Sequence, residues 1–292
     1  TVQVEFISTL TTFLLLLLVA RPPRRGESTG GPQTTDHWKL QQVAQLAAGI
    51  QLVQHPTLGN ILADETGLTL YFFSEDVAGD ATCTDGCLAN WPVFYVANPE
   101  VGNGVDKARF GVITRTDGTK QSTFDGWPLY YYTPDQAKGD AKGEGAGNKW
   151  FVAKQDYTLM YALAQLIGND QKEYKEDYTE GQAQTFYLTD AEGRTLYGFI
   201  NDTSNKNNYT AADFSNDPVW PIYEVNELQS LPSILSAGDF SIIDVHGKKQ
   251  LTYKGWPLYY FGGDGEQRGV NKGVSVPQPG IWPILNTNSI NL

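Results

Sequence analysis

A tyrosine followed two residues later by another aromatic, and five residues later by an aspartate, occurs four times in this chain. The copies are Tyr71, Phe73 and Asp76; Tyr130, Tyr132 and Asp135; Tyr197, Phe199 and Asp202; and Tyr259, Phe261 and Asp264. Successive tyrosines lie 59, 67 and 62 residues apart. A period of that size marks repeated supersecondary units, each too small to bury its apolar face alone. Thirty Gly and fifteen Pro spread along the 292 residues suit many short strands joined by turns. The expected class is therefore all-β, with four repeats of about 60 residues, each of about four short strands.

The units are not equivalent. In the first and third, Asp64 to Gly67 and Asp190 to Gly193 place Asp first and Gly fourth in a turn that leads to the motif tyrosine. The second and fourth share Gly-Trp-Pro-Leu-Tyr-Tyr, at Gly126 to Tyr131 and Gly255 to Tyr260. A tryptophan follows the motif tyrosine by 20 residues in the first two units (Trp91, Trp150) and by 23 in the last two (Trp220, Trp282). Two duplicated pairs explain this better than four independent copies. Their join falls between Ala153 and Glu180, with Gln171 to Glu180 as its polar crest.

In the second unit the strands are expected near residues 110–115, 120–125, 127–132 and 150–154. Side chains alternate along a strand, so Trp127, Leu129 and Tyr131 share one face while Tyr130 and Tyr132 share the other. Both faces are aromatic, as in a strand covered on both sides, and core packing is the expectation. The alternative is an exposed aromatic platform for a ligand. An Asp just beyond a strand commonly bonds backbone amides and fixes a turn. That device recurs with every unit, whereas a catalytic pair need not, so the four aspartates are read as structural. Asp135, Asp140 and Glu144 resemble a calcium loop in composition only, because the spacing fits no EF-hand and Lys138 and Lys142 oppose a cation.

No Gly-x-Ser-x-Gly, phosphate-binding Gly-Lys-Ser/Thr or His-Glu-x-x-His pattern occurs, and three scattered histidines offer little general-base chemistry. The chain is accordingly expected to be non-enzymatic, with no cofactor and no metal. A net charge of −12 argues against nucleic acid, which requires a basic footprint. Cys83 and Cys87 are the two cysteines; their spacing suits neither a redox pair nor haem attachment, and a local disulfide closing the Gly86 turn is expected. That reading favours an oxidising compartment.

Residues 1–20 contain an uncharged run, Phe6 to Ala20. Fifteen residues reach roughly 22 Å as a helix, short of a ~30 Å bilayer core and typical of a signal-peptide core. A retained signal or anchor helix is nonetheless the preferred expectation, giving membrane contact through residues 6–20. Residues 21–36 form a Pro/Gly-rich spacer, and Trp38, Leu40, Val43, Leu46 and Ala47 follow the spacing of a short docking helix behind Asp36.

Gly67 to Tyr71, the Cys83/Cys87 pair leading to Asn90-Trp91-Pro92, Gly-Trp-Pro-Leu-Tyr from Gly126, and the glycine-rich run from Gly139 to Trp150 resemble a bacterial and archaeal secreted-repeat lipoprotein family of unknown function. The resemblance covers residues 50–154 well and 180–285 more weakly. It implies an envelope or extracellular location, extracytoplasmic in either case, and no known activity. No lipobox cysteine follows the apolar run, so lipid anchoring departs from many members. Members with two units imply that a pair folds by itself. Residues 37–155 and 181–292 are then two β-sandwich or barrel-like domains joined by a linker at 156–180, the alternative being one four-bladed propeller. The functional expectation is a structural or accessory subunit docked through protein contacts on a larger membrane or surface assembly. Alternatives are a binding module for a glycan or hydrophobic ligand, and a scaffold beside electron-transfer proteins.

Overall fold

The computed structural model describes residues 49–292; the apolar run, the spacer and the short docking helix lie outside the described residues. Strands dominate. The single α-helix among the described residues, α1, is the five-residue Gly86–Asn90.

The first half opens with a hairpin of β1 (Gly49–His55) and β2 (Gly59–Asp64), to which β4 (Glu100–Val101) adds in parallel on β1. The motif strand β3 (Tyr71–Phe73) pairs antiparallel with β8 (Trp150–Val152), Tyr71 opposite Val152. On its other side Tyr71 bridges Tyr130, and Tyr130 bridges Val93. A three-stranded meander of β5 (Phe110–Thr114), β6 (Lys120–Phe124) and β7 (Trp127–Pro128) completes the half. The β6–β7 connection is the dipeptide Asp125-Gly126, with φ of 48° and 77°. Two consecutive positive φ values are what a two-residue hairpin turn demands, and Gly supplies the second without steric cost.

The second half repeats this plan. Strands β9 (Leu159–Ile167) and β11 (Gln184–Asp190) stand where β1 and β2 stand, with β10 (Glu173–Tyr174) on the free side of β9. Tyr197 bridges both Ile284 and Tyr259, and Tyr259 bridges Ile222, as Tyr71 and Tyr130 do in the first half. β12 (Phe240–Val245), β13 (Lys248–Tyr253) and β14 (Trp256–Pro257) form the matching meander.

The sheets hold two or three strands each, and none of them closes into a barrel. All-β repeats paired two by two are therefore the architecture, but two expectations need correction. Residues 156–180 are not a linker: they contain β9, the longest strand, largely buried between β10 and β11. Nor do the two pairs stand apart, since Gln45–Leu292 is one compact unit. A shared apolar cluster joins Ile50, Phe72 and Trp127 of the first half to Tyr157, Met160 and Tyr187 of the second. The physical reason is area: a pair of such open sheets leaves a large apolar face, which the other pair covers. The strand expected over 127–132 is also shorter, because Pro128 donates no ladder bond; β7 ends there and Tyr130 continues as an isolated bridge.

Candidate functional site

The four motif tyrosines are all 0% exposed, and each donates to the motif aspartate of the unit it pairs with. Tyr71 Oη lies 2.5 Å from Asp135 Oδ2 and Tyr130 Oη 2.7 Å from Asp76 Oδ2. In the second half Tyr197 reaches Asp264 and Tyr259 reaches Asp202, both at 2.7 Å. The other carboxylate oxygen of each aspartate accepts a loop amide six to eight residues downstream, from Thr82, Lys142, Asn208 and Lys272. The motif is thus a reciprocal clasp: each strand's tyrosine holds the loop of its partner. The expected bond from each aspartate to an adjacent turn gives way to one with an amide six to eight residues on, and the cross-unit tyrosine bond is not readable from the motif spacing.

Burial sets the electrostatics. It pushes the Asp76 carboxyl up to about 6, against hydrogen bonds from Thr82 and Tyr130 that pull it down. Burial likewise raises Asp202 to about 6 and Asp264 to about 7. The hydroxyls of all four tyrosines are pushed far above their ordinary range, again first by burial and then by the neighbouring aspartate.

The third motif residue has its own task. Phe73, Trp150, Trp91 and Tyr132 form one continuous ring stack, with centroids 4.1, 3.8 and 4.2 Å apart. Phe199, Trp282, Trp220 and Phe261 form the same stack at 4.3, 3.7 and 4.4 Å. Motif tyrosines meet these tryptophans edge-on, Tyr71 on Trp91 and Tyr130 on Trp150, the arrangement ring quadrupoles favour. The aromatic faces are internal, so the exposed platform is not present at these residues.

Cys83 and Cys87 form the expected disulfide, with Cα atoms 5.4 Å apart. The three calcium-loop carboxylates are drawn to different partners. Asp135 serves the clasp, Glu144 accepts the Val152 amide at 2.6 Å, and Asp140 takes Lys142 Nζ at 2.7 Å with two loop amides. No group of three His, Cys, Asp or Glu among the described residues is arranged to hold a metal ion.

The cavity beside each clasp differs in chemistry between the duplicated halves. In each, a cavity of about 240 Å³ opens above the clasp. In the first half it is lined by Leu68, Thr69, Pro92, Tyr131, Tyr132 and Asp135. Its counterpart has Arg194, Thr195, Pro221, Tyr260, Phe261 and Asp264, with Asp217 and Glu266 at its rim. Arg194 replaces Leu68. Its guanidinium lies 4.2 Å over the Tyr260 ring, donates to Asp190 Oδ2 at 2.7 Å and to Tyr260 Oη at 2.9 Å. Tyr260 Oη in turn reaches Asp190 Oδ2 at 2.9 Å, as Tyr131 reaches Asp64 at 3.0 Å in the first half. A structural device is copied between duplicates, whereas this charged cavity is not, which makes it the candidate site. Motif spacing missed it because Arg194 sits outside the motif. The signal lay in aligning Thr66-Gly67-Leu68-Thr69 with Glu192-Gly193-Arg194-Thr195.

Residues 53–95, 111–154 and 241–285 match the model of a family described as a secreted repeat of unknown function. These are the first, second and fourth units. The third, which the match passes over, has Gly198 where the first unit has Phe72, and no cysteine pair. No curated protein and no solved structure matches the chain.

Proposed function

We propose that this chain, which carries three copies of a secreted repeat, works without catalysis as a structural or accessory subunit of a membrane or surface assembly outside the cytoplasm. The family's description as secreted supports the location. The observation that carries the reading is the reciprocal clasp. Each repeated tyrosine and aspartate, the groups that would serve as acids, bases or ligands, is buried and hydrogen-bonded to a partner within the fold. What the second half presents outward, the Arg194 cavity included, is the surface of one compact unit, which suits contacts with neighbouring proteins. Glycan recognition by the motif aromatics is disfavoured by the same burial.

Blue-native electrophoresis of detergent-solubilised envelopes, after mild chemical cross-linking, tests this directly. The chain is expected to migrate in a high-mass complex. Recovery solely at the mass of one chain, in envelope and external medium alike, overturns it.

A further inference from the structure

The two halves dock head to tail, not face to face. Trp127 of the first half is fully buried where the halves meet, its Nε1 donating to the carbonyl of Ala191 in the turn after β11 at 2.8 Å. Arg268 lies 4.8 Å over the same ring, donates to Val77 O at 2.7 Å and to Asp125 O at 2.5 Å. Ser74 Oγ donates to Tyr161 O on β9 at 2.6 Å. A heterologous contact of this kind uses different surfaces on the two partners, so among the described residues each half keeps one surface unmatched.

On the second half the unmatched surface surrounds Trp256, the counterpart of Trp127. There Ile200 stands at the position of Ser74 and is 43% exposed. A groove of about 310 Å³ runs past Ile200, Trp256, Ile284, Leu285 and Ile290. Residues 286–292 cross it as a strap and imitate the missing half. The carbonyl of Ile290 accepts Trp256 Nε1 at 2.9 Å, taking the role of Ala191. Lys254 Nζ donates to Thr287 O and Ser289 O, and Leu292 N donates to Lys254 O at 3.0 Å. The imitation is partial: the Ile290 side chain is 77% exposed.

On the first half the unmatched surface is the mirror requirement. The β1–β2 and β9–β11 registers place Leu52 opposite Leu62 where Tyr161 stands opposite Leu188. Glu65 occupies the turn position of Ala191. Lys138, which packs beside Gly67 as Arg268 packs beside Gly193, is the counterpart of Arg268. Leu52 is half-buried where Tyr161 is buried.

We infer that the Trp256 groove is a docking surface for the β1–β2 face of a second copy of this chain, held closed by the strap of residues 286–292. The contact reproduces the one already joining the two halves, so copies add head to tail. In the fold as described, the strap acts as the end cap that a stacked repeat requires.

Sedimentation equilibrium on residues 45–292, the compact unit, tests this. The unaltered chain is expected to be a monomer. Deletion of residues 287–292 leaves Asn286 and its bond to Phe186 in place, and the weight-average mass is expected to at least double with rising concentration. Lys254→Met, which removes two strap bonds without shortening the chain, is expected to move in the same direction. Adding Leu52→Lys or Lys138→Glu to either variant is expected to restore the monomer. Near-ultraviolet circular dichroism confirms folding, and Lys254→Met serves if the shortened chain does not fold. A folded strap variant that stays monomeric overturns the proposal. So does association that ignores Leu52→Lys and Lys138→Glu, since that is adhesion through bare Trp256.

Discussion

Removing one hydroxyl tests whether the clasp holds this fold. In Tyr130→Phe the ring stays edge-on to Trp150, but Asp76 Oδ2 loses the donor at 2.7 Å and receives no other hydrogen bond among the described residues. Both groups are 0% exposed, so water cannot take the place of the hydroxyl. Above about pH 6 the Asp76 carboxyl is ionised, and loss of a bond to a charged group costs about 1.5–3 kcal/mol. Below that pH the carboxyl is neutral, and the cost falls to about 0.5–1.5 kcal/mol. At about 2–4 °C per kcal/mol for a body of this size, the melting temperature should drop by about 3–12 °C at pH 8. At pH 5 it should drop by about half as much or less. Scanning calorimetry on residues 45–292 at both pH values reads this. A drop under about 1 °C at pH 8, or a larger drop at pH 5 than at pH 8, would refute the clasp as a stabilising device.

The buried aspartates predict a pH slope. Their folded values, about 6 for Asp76 and Asp202 and about 7 for Asp264, lie above the unfolded 3.8, so the folded state binds more protons between pH 4 and 7. The stability they contribute is present below pH 3.8 and is lost as pH rises through 6 to 7. The melting temperature should fall across that window, and Asp264→Asn should flatten the fall; an unchanged slope in the variant contradicts the assignment. Trp220→Ala empties the middle of a ring stack between Trp282 and Phe261 and should cost about 3–5 kcal/mol in denaturant unfolding, with Trp220→Phe costing clearly less. Equal losses would mean that stacking adds nothing beyond bulk. Replacing Cys83 and Cys87 together by Ser frees a short loop and should cost roughly 2 kcal/mol by loop-closure entropy. Guanidinium unfolding reads it, and no loss would show that the Gly86 turn is held by other contacts.

Period, class and pairing were legible from residue order alone, because each follows from local chemistry that recurs. Asp64 to Gly67 and Asp190 to Gly193 write their turns in the residues themselves, with each Asp Oδ1 accepting two amides of its own loop. The three-residue offset of Trp220 and Trp282 marks the duplication in the residue order itself. A local disulfide across four residues needs no knowledge of the rest of the chain.

What the tertiary structure alone decided is which copy each side chain serves. Tyr71 and Asp76 are neighbours in sequence, yet the bonds run from Tyr71 to Asp135 and from Tyr130 to Asp76, across 64 and 54 residues. Nothing in a spacing of five distinguishes a clasp within one unit from an exchange between two; the antiparallel bridge between Tyr71 and Tyr130 makes that choice. Arg268 is similar: one arginine past the fourth motif, it lies under Trp127 from the other half, 141 residues away. The stretch after Lys154 reads as a join in sequence and becomes the central strand β9, because the first pair leaves an apolar face that water does not cover. Sequence fixes periodicity because turns and strands are local. Partnership between copies is set by which surfaces bury one another, and four similar copies carry four similar labels.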